Sequence, residues 1–342
     1  MFDYQGLINS IGVKKGDCID IISDMRYLML LARADREKFS GPEFIVALQE
    51  AVGEEGTLLL RMFNWDFCKG VPFDVKNTKS KVGALANYAL DMPGFKRSKH
   101  AIYSWMVWGK YRDEICELDD DNAFGEGSVF AWQYNHESYL IRFGDTEYDG
   151  RTYFHYVENK VSVPYRYAKN FVGDYIEADG CVHKAIYSML VHDMSDTRGS
   201  HPRNMNDMFI NEGAMESAVY KDMIVEKDHI RAQCDIMERD LREFFPGHTY
   251  EEGYPSVFTL NLVNEVAESA QSVIPDVDLR ESHRLLTDGL ISDNDVELIA
   301  NQLEKDFSIS ITREDRKKEY FDNVNAMANL CGWRMYDKEK GR

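Results

Sequence analysis

Hydrophobic and polar positions divide the chain into two regimes. In the first, short apolar runs alternate with helical stripes. Residues 18–23 alternate and are rich in β-branched side chains, which predicts a strand. Ser40 and Glu43 have the spacing of a capping box, with Pro42 at an early helix position; Ile45, Leu48 and Val52 then form an apolar stripe that Gly53 stops. Residues 57–63 are an apolar run short enough for a buried strand. Strand, helix, strand is the start of an α/β layer. Residues 81–90 read as a second helix, and 103–108 and 138–143 as further strands. Residues 172–205 are rich in turns and short β-like pieces. Within 224–245, Ile230, Cys234, Met237, Leu241 and Phe245 repeat at helical spacing, the pattern of an amphipathic packing helix.

Two Pro and two Gly between Pro246 and Pro255 mark a linker, and the second regime follows it. There the pattern is helical throughout: residues 258–274, a stripe of Val296, Ile299, Leu303 and Phe307, and a third of Val324, Met327 and Leu330. The expected organisation is an α/β domain at 1–245, a linker at 246–257 and a small helical bundle at 258–342.

Composition narrows the function classes. The chain has 342 residues and a net charge of -19. Such a charge argues against nucleic acid and anionic membrane surfaces, which need a positive face. It favours a cationic ligand and leaves any anion site to local geometry. Six cysteines lie scattered without CxxC or finger spacing, so they are expected as reduced thiols in a cytoplasmic protein. Residues 1–10 lack the basic region and apolar run of a signal peptide, and no apolar run approaches a membrane span.

One stretch carries candidate chemistry. His155 and Glu158 stand three residues apart in Thr152-Tyr-Phe-His-Tyr-Val-Glu158, so a helix places both on one face. Thr152 is the expected N-cap, with His155 in the first turn, where the helix dipole favours a neutral ring. His155 then suits a general base, and Glu158 the group that orients it. A surface ion pair has the same spacing. The stretch follows the strand at 138–143, and sites in open α/β sheets collect past strand carboxyl ends. No metal is expected here, since no second ligand pair lies nearby. Asp293, Asp295 and Glu304 suggest a calcium loop, but Leu298 stands where that loop needs Gly.

Several blocks, in order, resemble the aminoglycoside 3-N-acetyltransferase family. They are Gly12-Val-Lys-Lys-Gly-Asp17, Gly53-Glu-Glu-Gly-Thr-Leu58 and Phe73-Asp-Val-Lys-Asn-Thr-Lys-Ser-Lys-Val-Gly-Ala-Leu85. Arg97-Ser-Lys-His100 with Ser104 and Gly109, then Phe124-Gly-Glu-Gly-Ser128, and finally His155-Tyr-Val-Glu158 complete the series. Two positions depart from the family pattern: Ala101 replaces its Pro, and Asp24 follows Ser23 where paired serines are usual. The resemblance implies a mixed sheet with flanking helices and acyl transfer from a thioester to an amine. Its catalytic residues would be His155 and Glu158. Asp74, Thr78, Ser80, Arg97, Ser98, His100 and Ser128 would bind substrate or donor. The donor implied is acetyl-CoA or another acyl-CoA, and the acceptor an amino sugar.

The tail resembles an acyl carrier domain at Asp276-Val-Asp278, at 285–291, at 303–311 and at Phe321-Asp-Asn-Val324. A carrier bears phosphopantetheine on a serine opening its second helix. In Ile291-Ser-Asp-Asn-Asp295 that position falls on Asp293 without a gap and on Ser292 with a one-residue slip, so the tail is either a carrier or a pseudo-carrier. An N-acyltransferase of polysaccharide or natural-product biosynthesis, with a free or nucleotide-linked amino sugar as acceptor, is the reading this architecture implies. An acyl carrier is a further expected partner and a homodimer an expected assembly. A non-catalytic scaffold and a direct antibiotic-modifying enzyme are the alternatives.

Overall fold

The computed structural model describes residues 2–144, 150–163, 166–192, 205–243, 260–280 and 284–339. They fall into two compact units. The first comprises Met1–Tyr153, Phe171–Tyr187 and Asn206–Ile236, and the second Phe154–Asn170, Ser188–Met205 and Met237–Arg342. The linker expected at 246–257 lies outside the described residues.

The first unit opens with α1 (Tyr4–Asn9), β1 (Cys18–Ser23), α2 (Met25–Ala34), α3 (Gly41–Val52) and β2 (Thr57–Arg61). Then come β3 (Phe73–Asp74), α4 (Leu85–Tyr88), β4 (Lys96–Arg97), β5 (Trp105–Gly109), α5 (Arg112–Glu117), α6 (Val129–Asn135) and β6 (Ser138–Phe143). The chain continues through α7 (Phe154–Lys160), β7 (Arg166–Ile176), β8 (Val182–His192), α8 (Asn206–Asn211), β9 (Met215–Tyr220), β10 (Met223–His229) and α9 (Ile230–Glu243). One described sheet has the order β4-β5-β2-β1-β6-β10-β9 and another the order β3-β7-β8. Strand β1 runs parallel to β2 and β6; β5 and β10 pair antiparallel outside them. The fold is therefore mixed α/β.

The pleat sends alternate residues to opposite faces, and the two faces differ in chemistry. Ile19, Ile21, Leu58, Leu60, Ile141, Phe143 and Val225 join an apolar core with Leu7, Ile8, Phe44 and Leu48 from α1 and α3. Asp20, Arg61, Arg142 and Asp228 occupy the other face and are just as buried. A buried charge needs a partner, and these are paired with one another, as described below. Phe63, Trp105 and Phe130 also cluster, with ring centroids 4.8 Å and 4.9 Å apart for the pairs through Trp105.

The helix expected at 81–90 begins only at Leu85, because the Ser80 amide donates to the Asn87 side chain and the Lys81 amide to the Phe63 carbonyl. Where short pieces are expected across 172–205, the described part up to His192 runs through two strands of 11 residues each, β7 and β8; residues 193–204 lie outside the described residues. The amphipathic stripe expected from Ile230 is α9, which begins at that residue, while 223–229 before it pairs between β6 and β9; Phe245 lies outside the described residues. Ser40 caps α3, its hydroxyl accepting from the Glu43 amide.

The second unit carries α7, the first residues of β7, the last of β8, and the end of α9. It also holds α10 (Leu260–Gln271), α11 (Asp293–Phe307), α12 (Lys318–Phe321) and α13 (Val324–Glu339). Val296, Ile299, Ala300 and Leu303 form the buried stripe of α11, and Ser269 of α10 donates to Asp306 at 2.7 Å. Among the described residues no helix is long and apolar enough to cross a membrane, and no three His, Cys, Asp or Glu gather in a way that could hold a metal ion.

Candidate active site

Helix α7 forms because Phe154, Tyr156 and Val157 supply an apolar face, all buried. It starts two residues beyond Thr152, so the expected cap is replaced: the Thr152 hydroxyl accepts from Arg61 Nη1 at 3.4 Å instead. His155 stays in the first turn. Its side chain is 26% exposed, whereas Glu158 is fully buried. His155 Nδ1 lies 2.5 Å from Glu158 Oε2, and Arg166 Nε, from the first residue of β7, lies 3.0 Å from the same oxygen. Burial of the imidazole and then the Arg166 charge hold the His155 pKa below its ordinary value; Glu158 acts in the opposite sense and is outweighed. The ring is thus neutral near pH 7. Its Nδ1 proton faces the carboxylate, which places the basic lone pair on Nε2. At the other end of α7, Lys160 pairs with Glu238 at 2.7 Å, and Arg242 joins that carboxylate at 2.9 Å.

Residues 150–153, which lead into α7, are anchored within the first unit. Asp20 of β1 accepts from Arg61 Nε at 3.0 Å, from Arg61 Nη2 at 2.8 Å and from Gln133 Nε2 at 3.1 Å. Arg61 Nη1 donates onward to the Gly150 carbonyl. Arg151 Nε donates to Asp228 at 2.9 Å, and Arg142 Nη1 reaches the same carboxylate at 2.7 Å. The Tyr153 hydroxyl donates to Gln233 Oε1 at 2.6 Å. Burial and then Asp228 push the Tyr153 pKa well up, so it stays a donor.

Apart from Ser292, the other site residues put forward by the sequence belong to the first unit and fall into two groups. Thr78 and Ser80 line a cavity of about 380 Å³ together with Asn64, Phe67, Phe73 and Ala101. Asp74 and Arg97 build the loop that forms this wall. The Asp74 carboxylate accepts from the Lys76 amide at 2.8 Å and from Asn77 Nδ2 at 2.8 Å. Burial opposes ionisation of Asp74, but these donors together outweigh it and keep its pKa below the usual carboxylate range. Arg97 donates to the Thr78 carbonyl at 2.6 Å, to the Val75 carbonyl at 3.2 Å and to Ser104 Oγ at 3.1 Å, with its guanidinium 4.7 Å from the Phe73 ring. Burial lowers its pKa to about 10, so it remains charged at neutral pH. Ser98, His100 and Ser128 line a second, water-sized cavity of about 10 Å³. Their polar atoms serve the backbone: Ser98 Oγ accepts from the Trp105 amide, His100 Nδ1 from the Ile102 and Tyr103 amides, and Ser128 Oγ from the Ala131 amide as the cap of α6. Asp24, read from sequence only as a departure from paired serines, caps α2 by accepting from the Arg26 amide at 2.8 Å. Ser292 caps α11 in a reciprocal box with Asp295, its hydroxyl donating to Asp295 Oδ2 at 2.7 Å.

Sequence reading did not find Arg166, nor the pairs Asp20–Arg61 and Arg151–Asp228. The signals available were weak: a lone Asp inside a β-rich run, and an Arg ending an apolar one.

The fold and the matched segment define the class. The chain belongs to the aminoglycoside 3-N-acetyltransferase family, whose profile matches residues 33–225. A relative in Bacillus subtilis (strain 168), the SPbeta prophage-derived aminoglycoside N(3')-acetyltransferase-like protein YokD, is 28% identical over 145 residues, or 36% of this chain and 52% of YokD. The sequence match thus spans about half the relative's length. The YokD crystal structure superposes with a TM-score of 0.54 at 21% identity, covering 69% of this chain and 91% of YokD. AAC-IIIb in its binary complex with CoASH gives 0.56 at 17% identity over 70% of this chain and 95% of that one. Sisomicin-bound AAC-VIa gives 0.58 at 17% identity over 69% and 95%. These structural likenesses establish a shared fold.

Proposed function

We propose that this protein is an N-acyltransferase. It moves an acyl group from a coenzyme A thioester to the amine of an amino sugar, with His155 as general base and Glu158 as the group that orients it. The observation carrying this reading is the neutral imidazole held by its Nδ1 on a buried carboxylate, in a chain of this family. His155 Nε2 takes a proton from the acceptor amine as nitrogen attacks the thioester carbonyl. The new C–N bond forms, the C–S bond breaks, and the proton passes from the imidazolium to the departing thiolate. Family relatives captured with CoASH and with sisomicin support the donor and acceptor classes. The cavity at Thr78 and Ser80 is of a size that holds a small molecule, and we assign it to one reactant, with Asp74 and Arg97 holding its wall. Ser98, His100 and Ser128 shape the adjoining backbone.

On this reading residues 1–245 carry the chemistry, and we read the helical tail as a support rather than a carrier. The Ser292 hydroxyl is committed to the Asp295 box, and a phosphopantetheine attached there would remove that bond. Incubation with coenzyme A and a broad phosphopantetheinyl transferase should leave the intact mass unchanged; a gain of one arm that Ser292→Ala abolishes would restore the carrier.

The function itself is tested by acceptor-dependent thiol release from acetyl-CoA over a panel of free and nucleotide-linked amino sugars. His155→Ala should reduce turnover by about 10²–10⁴-fold, the range of a lost general base. Turnover near wild type would remove His155 from that role.

A further inference from the structure

The family match ends at residue 225, yet the second unit places the tail against the segment that carries the His155–Glu158 pair. Asp322, between α12 and α13, is 2% exposed. Its carboxylate accepts from the Thr287 amide at 2.8 Å, from the Thr287 hydroxyl at 2.6 Å and from Asn170 Nδ2 of β7. Its carbonyl accepts from the Leu285 amide at 2.7 Å. Two residues earlier, the Tyr320 ring packs on Tyr167 of β7 with centroids 4.9 Å apart. Thus Thr287 and Asp322, from the two stretches 285–291 and 321–324 that resemble a carrier, meet each other and grip the first five residues of β7. The first of those five is Arg166, whose guanidinium sits on Glu158.

We infer that the C-terminal helices act in cis as a clamp on the base: Asp322 and Tyr320 are positioning residues that hold the start of β7, and with it Arg166, against Glu158 and His155. This rests on the general-base reading above. A buried carboxylate with three side-chain and backbone donors is a costly feature to keep unless the geometry it fixes matters. A strand held at Tyr167 and Asn170 cannot shift Arg166 along its axis without breaking one of the two contacts. Among the described residues, the charges that act on His155 are Glu158 on its own helix and Arg166 on β7. Lys160 is taken up by Glu238 of α9. Loosening β7 therefore acts on His155 through Arg166.

The test uses the full-length protein with Asp322→Ala, Asn170→Ala, Tyr320→Ala and Tyr320→Phe. Asn170→Ala leaves both Thr287 bonds to Asp322 intact, so it breaks the grip without touching the tail's own fold. The expected result is a loss of kcat of roughly ten- to a hundred-fold, with KM for acetyl-CoA within about two-fold, since a displaced base loses rate rather than binding. The His155 titration followed by NMR should move up, because withdrawal of Arg166 favours the imidazolium. The acid limb of kcat should move with it, and Tyr320→Phe should restore both. Unchanged titration and limb in Asn170→Ala and Tyr320→Ala would overturn the clamp. The two readings separate cleanly. If His155→Ala stays active while the NMR titration still shifts in Asn170→Ala, the base assignment fails and the clamp stands.

Discussion

At the scale of single residues, two groups meet one oxygen of Glu158: the Arg166 guanidinium and the His155 ring. Glu158 is buried, so unless it is paired its ionised form is expensive. Arg166 and the His155 Nδ1 proton share the pairing. Arg166 pulls the His155 pKa down and Glu158 pulls it up, with burial the largest influence and the net direction downward. Two consequences follow. The acid limb of kcat should lie below about 6.5, the ordinary histidine value, and Arg166→Gln should move it upward. A kcat profile in Arg166→Gln that overlays the wild type would remove Arg166 from this role. The same shift couples to stability. A folded pKa below the unfolded one means the unfolded chain binds more protons between the two values. The neutral ring's contribution is complete above the unfolded value and is lost as pH falls through the folded one. Urea midpoints for wild type should accordingly drop further between pH 7.5 and 5.5 than those for His155→Gln.

At the scale of elements, the decisive feature is a sheet with one apolar face and one charged face, both buried. The charged face holds the approach to α7, because Asp20–Arg61 reaches Gly150 and Thr152 while Asp228 reaches Arg151. Removing one partner strands the other in the interior. Arg61→Met or Asp20→Leu alone should cost about 3–5 kcal/mol in urea unfolding, and the double variant should cost less than either single change. Additive losses would show that the pair is not coupled. This face also marks the limit of what the sequence discloses. Strand 18–23 was legible because alternation exposes a period of two; β1 keeps those bounds, and β6 those of the further strand at 138–143. Alternation by itself sends Asp20 to solvent, and nothing local marks Asp20 or Arg142 as buried. Their burial depends on partners on distant strands. The same logic separates the site. His155 and Glu158 were legible because a helix makes residues three apart neighbours. Arg166 was not, since its meeting with Glu158 joins a helix to a strand and no local spacing encodes it. The stripe that opens at Ile230 marks the onset of α9 in the same way, whereas the strand at 223–229 just before it rests on pairing with β6 and β9.

At the scale of the molecule, the net charge of -19 bears on which reactant enters easily. Its field attracts cations and repels anions over roughly a Debye length, about 10 Å at 0.1 M salt. A free polyamino sugar carries several ammonium groups, and acetyl-CoA carries phosphates, so the two reactants of the proposed transfer feel opposite forces. Raising ionic strength from about 20 to about 500 mM should therefore raise KM for a polycationic amino sugar by several-fold while lowering KM for acetyl-CoA, with kcat little changed. The opposed slopes serve as each other's control, because a general effect of salt on the fold would move both the same way. A nucleotide-linked amino sugar, being anionic, should behave like the donor. An acceptor whose KM rises with salt thus identifies the free, cationic class. If KM falls with salt for the acceptor turned over fastest, the long-range field works against the natural substrate, and binding then depends on short-range contacts strong enough to offset it.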